Sequence, residues 1–140
     1  MESFKVDFSD LEKLKESLEI SERDFDGFLR NFLVEMANRV IAKTKPRTPK
    51  DTGALRNAWQ LGNISGNGKE ISVEILNPME YATEIEYGHR IVRNGVEVGW
   101  YEGNFMLKIS MDEVDRQMPA RYKKQFNAFC VLRGLGNVNW

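Results

Sequence analysis

Ser21-Glu22-Arg23-Asp24-Phe25-Asp26-Gly27-Phe28-Leu29-Arg30-Asn31-Phe32-Leu33-Val34-Glu35-Met36-Ala37-Asn38-Arg39-Val40-Ile41-Ala42-Lys43 is the stretch on which the fold turns. Phe25, Phe28, Leu29, Phe32, Leu33, Met36, Ala37, Val40 and Ile41 recur every three or four residues, the repeat of one helix face. Arg30, Glu35, Asn38, Arg39 and Lys43 fall off that stripe. Ser21 is placed to cap the first turn and Asp24 to oppose its dipole. Pro46 is expected to end the helix, because the residue before a proline is driven out of the helical region. A helix this apolar along one face must bury it, so the rest of the chain has to supply a cover.

Downstream the repeat changes from helical to alternating. Ile71, Val73 and Ile75 alternate with Ser72 and Glu74, the pattern of a half-buried strand. Gly66-Asn67-Gly68 supplies a tight turn before it, which places a partner strand at about 58–65. Asn77-Pro78 ends that segment, and a short helix through Met79–Tyr87 closes at Gly88. Arg90–Arg93, the turn Asn94-Gly95 and Val96–Trp100 form a second hairpin.

Ser110-Met111-Asp112-Glu113 reads as a capping box, with Ile109 and Val114 as its hydrophobic staple. Leu107, Met111, Val114, Met118, Tyr122, Phe126 and Phe129 give a second long stripe, which Pro119 should kink or divide. Residues 134–140 are expected to be a loose tail. Ahead of the long helix, Ser9-Asp10-Leu11-Glu12 reads as another capping box opening a helix over about 10–19.

The expected fold is therefore α+β. A small antiparallel sheet of two hairpins packs against a long N-terminal amphipathic helix and a C-terminal helix. The 140 residues fit one domain over 1–140, with residues 1–20 as an extra acidic helical segment.

Composition narrows the chemistry. One cysteine, Cys130, permits no internal disulfide, and one histidine, His89, leaves no paired metal-ligand spacing. The N-terminus lacks the basic start and apolar run of a signal peptide, and no run approaches the length of a membrane span. These features point to a protein made in a cytoplasm. A nucleophile needs a base, and His89 is the sole imidazole, without a Gly-x-Ser-x-Gly elbow. Cys130, beside Phe129 and Val131, reads as packing. Glu80, Glu84 and Glu86 crowd one segment, but no sequence feature supplies a pocket that would split their acidities. No catalytic, cofactor-binding or metal-binding residues are therefore assigned, and a hydrolase built on the glutamates is a minor alternative.

Charge is arranged in blocks although the net charge is −1. Residues 1–26 hold nine acids and four bases, and residues 27–57 seven bases and two acids. Residues 58–102 return to acid and residues 103–140 to base. Solvated faces explain such blocks, and so do copies that stack through complementary surfaces. The densest basic stretch carries Lys43, Lys45, Arg47, Lys50 and Arg56 with a single acid, Asp51. A small nucleic-acid-binding regulator using this 43–56 segment is the main alternative function, although no known nucleic-acid-binding signature accompanies it.

Two segments stand out when taken together. Thr48-Pro49-Lys50-Asp51-Thr52-Gly53-Ala54-Leu55-Arg56 follows the amphipathic helix as a Pro-x-Asp-Thr-Gly-x-Leu-Arg pattern. Here Pro49 stiffens the loop, Asp51 or Thr52 caps a short turn, Gly53 permits a tight bend and Leu55 anchors it. Tyr81-Ala82-Thr83-Glu84-Ile85-Glu86-Tyr87-Gly88 follows the strand as a Tyr-Ala-x-x-x-Glu-Tyr-Gly pattern. Tyr81, Ile85 and Tyr87 are expected to cover the sheet and Gly88 to turn the chain.

In this order and spacing, with Gly103-Asn104-Phe105-Met106-Leu107 before the last helix, the chain resembles the small tail-component family of tailed bacteriophages, over roughly residues 22–130. That family comprises head–tail connector and tail-completion proteins. The resemblance implies a non-enzymatic structural virion protein at the neck. It implies a homo-oligomeric ring, typically hexameric, around the DNA path, with neighbouring connector, tail-terminator or tail-tube proteins as partners. It implies assembly in the host cytoplasm, location in the virion, no membrane and no cofactor. A head-to-tail interface closes into such a ring when its rotation closes. Lys43, Lys45, Arg47, Lys50 and Arg56 are then candidates for assembly or DNA-channel contacts. The extra N-terminal segment and the compact second hairpin depart from the commoner family pattern.

Overall fold

The computed structural model describes residues 2–50, 53–67 and 70–140. In chain order its elements are β1 (Glu2–Asp7), α1 (Ser9–Ser17), α2 (Glu22–Arg47), α3 (Ala54–Asn57), β2 (Gln60–Asn67), β3 (Glu70–Leu76), α4 (Ala82–Tyr87), β4 (Gly88–Arg93), β5 (Val96–Glu102) and α5 (Met106–Leu132). The fold is α+β, with α2 and α5 as its long helices. The strands form two separate antiparallel sheets, a three-stranded one in the order β1-β3-β2 and the β4–β5 hairpin. The expected Asp51 or Thr52 cap and the Gly68 end of the first turn lie outside the described residues.

The alternation in β3 sets the core. Ile71, Val73 and Ile75 are fully buried under the helices, while Ser72 and Glu74 face the other way. On the helical side Phe25, Leu29, Phe32, Leu33, Met36, Ala37 and Val40 of α2 are buried against β3 and α5. From α5 come Met106, Leu107, Val114, Met118 and Phe126. Each large apolar side chain so buried contributes roughly 1.5–3 kcal/mol. Aromatic edges lock the α2–α5 seam: Phe25 meets Phe126 at 6.3 Å, and Phe28 lies 5.3 Å from Phe126 and 5.1 Å from Phe129.

The helix expected over about 10–19 is present as α1, but the N-terminal segment is neither wholly helical nor an addition outside the core. Residues 2–7 form β1, paired along its length with β3 from Glu2↔Ile75 to Asp7↔Glu70. Phe8 and Leu11 are buried in the same core as α2. Lys15 reaches across from α1 to Glu22 of α2 and lies 5.9 Å from the Phe25 ring centre. Ser9 is also not a cap. It is the first residue of α1, and its N–H donates to the Asp7 carboxylate at 2.9 Å.

Neither Pro46 nor Pro119 divides its helix. α2 runs through Pro46 to Arg47 and ends where Thr48 turns extended (φ −82°, ψ 130°). The preference against a helical residue before proline is overridden at Lys45 and Met118 and is met at Thr48, which precedes Pro49. α5 is unbroken through Pro119. Pro119 and Asp115, whose carbonyl loses its partner, are both exposed, so water can satisfy that carbonyl.

Ser110 lies inside α5 and donates to the Met106 carbonyl at 2.7 Å, so no capping box forms there. The tail is tied down rather than loose. The Val138 N–H donates to Asn127 Oδ1 at 2.7 Å, and Trp140 sets its ring edge-on to Tyr122 and Phe126 at 6.1 Å each.

Candidate assembly surfaces

The first motif builds a joint where α2 leaves the core. Thr48 is buried, and its hydroxyl donates to the Thr44 carbonyl at 2.8 Å while accepting from Trp59 Nε1 at 2.9 Å. The Arg56 guanidinium donates twice to the Thr48 carbonyl, at 3.2 and 2.8 Å. The Leu55 side chain is buried, and its carbonyl accepts from Asn77 Nδ2 at 2.8 Å. Gly53 has φ +82°, a left-handed conformation that favours glycine. Thr48, Leu55 and Arg56 thus tie the end of α2 to α3 and to Asn77, just past β3.

The second motif builds the start of α5. Glu86 is fully buried, and its two carboxylate oxygens accept from the N–H groups of Leu107 and Lys108, each at 2.9 Å. An anion at a helix N-terminus satisfies orphan donors and opposes the dipole. Around it the backbone interlocks: Asn104 N–H donates to the Ile85 carbonyl at 2.8 Å and Phe105 N–H to that of Glu86 at 3.0 Å. A Cβ on Gly88 (φ +91°) would collide with the Tyr101 carbonyl, and one on Gly103 with that of Glu86. Ala82, not Tyr81, is the buried anchor of this segment. Tyr81 and Tyr87 are exposed. The Tyr87 hydroxyl donates to the Glu2 carboxylate, and burial followed by that carboxylate pushes its pKa upward.

The five candidate basic residues separate into two groups. Lys43 and Arg47 both turn inward to Glu113 of α5, Lys43 at 3.2 Å, and Arg47 also donates to Ser110 Oγ at 2.9 Å. Lys43 foremost, and then Arg47, hold the Glu113 carboxyl below its ordinary range. Arg56 is spent on Thr48. Of the five, only Lys45 and Lys50 make neither an ion pair nor a side-chain hydrogen bond among the described residues. Sequence reasoning grouped all five by spacing. The acid that separates them, Glu113, lies on another helix and is invisible at that range.

The glutamate trio is also separated, with Glu86 buried as a cap and Glu80 and Glu84 exposed. His89 packs 5.2 Å from the Tyr101 ring and donates from Nδ1 to the Arg90 carbonyl. Cys130 is buried, which pushes its thiol up against the opposing pull of Arg133. A groove of about 380 Å³ between α2 and α5 is crossed by an Asp24–Arg133 pair at 3.1 Å and a Gln125–Glu35 bond at 2.9 Å. Among the described residues no cluster of His, Cys, Asp or Glu is placed to hold a metal ion. Among them, too, no helix is long and apolar enough to cross a membrane.

The expected second hairpin is present as β4–β5, and the feature absent from the sequence reading is its exposed apolar face. The hairpin's main neighbour in the fold is α4. It leaves Val92 (57%), Val96 (61%), Val98 (56%) and Trp100 (53%) exposed. The Asn94-Gly95 turn located the hairpin, but only the lack of a covering element among the described residues leaves its valines facing solvent.

Comparison with known proteins gives one match. Residues 12–88, more than half of the chain, match the family profile described as "Bacteriophage HK97-gp10, putative tail-component". The matched span contains both motifs and ends at Gly88, where the hairpin begins. No curated protein and no solved structure matches the chain.

Proposed function

From the premise that this chain belongs to the HK97-gp10-like family of bacteriophage tail components, we propose that it completes the tail and joins it to the head at the neck. In this reading it is a structural part and not an enzyme. Its copies form a ring, six in number, around the path of the DNA, and contact connector, tail-terminator or tail-tube proteins. It is made in the host cytoplasm and ends in the virion. The observation that carries the reading, beside family membership, is the hairpin with its four exposed apolar side chains. A subunit that leaves such a surface uncovered is suited to being covered by a neighbour in an assembly.

The nucleic-acid regulator loses ground on geometry, since Lys43, Arg47 and Arg56 are engaged within the fold. Lys45 and Lys50 remain as the candidates for contact with DNA or with an adjoining ring.

The test is removal of the gene from a phage that carries it, followed by electron microscopy of the lysate. DNA-filled heads beside separate, complete tails are expected, with joining restored by the gene in trans. Normal joined particles would overturn the proposal. Six-fold density at the neck, fitted by this chain, is the expected result for the ring.

A further inference from the structure

We propose that the β4–β5 hairpin of one copy lays its β4 edge along the β2 edge of a neighbouring copy of this chain, extending that copy's three-stranded sheet to five strands. The inference rests on the ring reading for the presence of a neighbour. Its placement rests on three features of this chain.

The first is the receiving edge. β2 is an outer strand, bonded to β3 on one side. Among the described residues, the one hydrogen bond to β2 from outside the sheet is at one end, where Arg30 donates to the Gly66 carbonyl at 2.9 Å. Sheet edges are ordinarily guarded by charge, proline, brevity or a bulge, and of these β2 has only the register shift between Leu61 and Ile64. The eight residues of β2, Gln-Leu-Gly-Asn-Ile-Ser-Gly-Asn, contain no charged residue and no proline. Ile64 is 37% exposed on it.

The second is the donated strand. Among the described residues β4 and β5 pair only with each other, so each keeps an open edge of N–H and C=O groups. An isolated two-stranded ribbon is marginal in water, and added strands stabilise it. Val92 of β4, more than half exposed, supplies an apolar partner for Ile64. Addition of a strand to an open edge is a recurrent mode of recognition.

The third is charge. β4 carries His89, Arg90 and Arg93 and no acid. The face of the receiving sheet turned away from the helices carries Glu74, and Glu70 is exposed at the start of β3. The Glu74 carboxylate lies directly over Gly62 of β2, where a Cβ would strike it. Neither Glu70, Glu74 nor Arg93 has an ion-pair partner among the described residues. Opposed charges of this kind set the register of a docked strand. Arm and edge are different surfaces of one molecule, so the contact is head-to-tail and suits a closed ring.

The test places a photoreactive benzophenone side chain at Val92 in the full chain, within assembled particles. After irradiation, mass spectrometry should find adducts to residues 60–66 of a second copy. Amine cross-linking of the same particles is the control. Multimers in the control with Val92 adducts elsewhere on the copy, or on a different protein, overturn the hairpin docking and leave the ring standing. No multimers in the control overturn both. R93E is expected to reduce the adduct about threefold, the scale of one exposed ion pair. E74R in the R93E background should restore the yield, and failure to restore it overturns the assigned edge.

Discussion

Glu86 shows how one side chain ties distant parts of the chain. It sits on a six-residue helix, yet its work is done on α5, where it accepts from Leu107 and Lys108. Glu86→Ala leaves two N–H groups at the start of a 27-residue helix without their acceptor. The expected loss is about 2–4 kcal/mol, read as a lower urea midpoint at unchanged slope. Glu86→Gln keeps a carbonyl acceptor and loses the charge, so a smaller loss of about 1–2 kcal/mol is expected. Equal losses for the two variants would mean that the charge alone matters. At the same scale the glutamate could be flagged in the sequence as part of a motif, but not given its job. A capping box is read over four residues, and this cap arrives from twenty-one residues away. For the same reason Ser110, a cap by local pattern, is an interior residue of the helix.

Among the elements, those with strong periodicity were legible and those made by pairing were not. The nine-residue stripe of α2 and the alternation of β3 were readable because burial on one face imposes a period. β1 went unread because six residues containing three charges carry little pattern of their own. Its strand character comes from pairing with β3. The α2–α5 contact gives a prediction at this scale. Lys43 and Arg47 depress the folded pKa of Glu113, so the pairing contributes stability fully above the unfolded glutamate value of roughly 4.3. That contribution is lost as pH falls through the lower folded value. Glu113→Gln should therefore lower stability at neutral pH and flatten its decline between about pH 5 and 3. Urea titrations across that range check it, and an unchanged slope would discount the pairing. The tail offers a second test between elements. Deleting residues 137–140 removes the Asn127 bonds and the Trp140 contacts with Tyr122 and Phe126. A loss of about 1–2 kcal/mol is expected, where a loose tail would give none.

At the scale of the whole molecule, the sequence's block charges resolve into two different uses. Part of the basic 43–56 segment neutralises an acid inside the fold, and part faces outward. Spacing could not separate them, because the separation depends on how α2 and α5 are packed together. The consequence can be tested by reversing charges in two sets. Lys43→Glu with Arg47→Glu places two acids against Glu113, so the subunit itself should be destabilised, read as a lower urea midpoint, whatever it binds. Lys45→Glu with Lys50→Glu breaks no ion pair among the described residues, so the isolated chain should keep its urea midpoint within about 0.5 kcal/mol. If the outward pair meets DNA or an adjoining ring, the second variant should nonetheless lower the yield of joined, DNA-retaining particles. The deficit relative to the parent should shrink with added salt during assembly, because salt screens both the parent's attraction and the variant's repulsion. Particles that assemble and retain DNA as well as the parent would remove Lys45 and Lys50 from the interface. The hairpin would then be the surface on which the assembly reading depends.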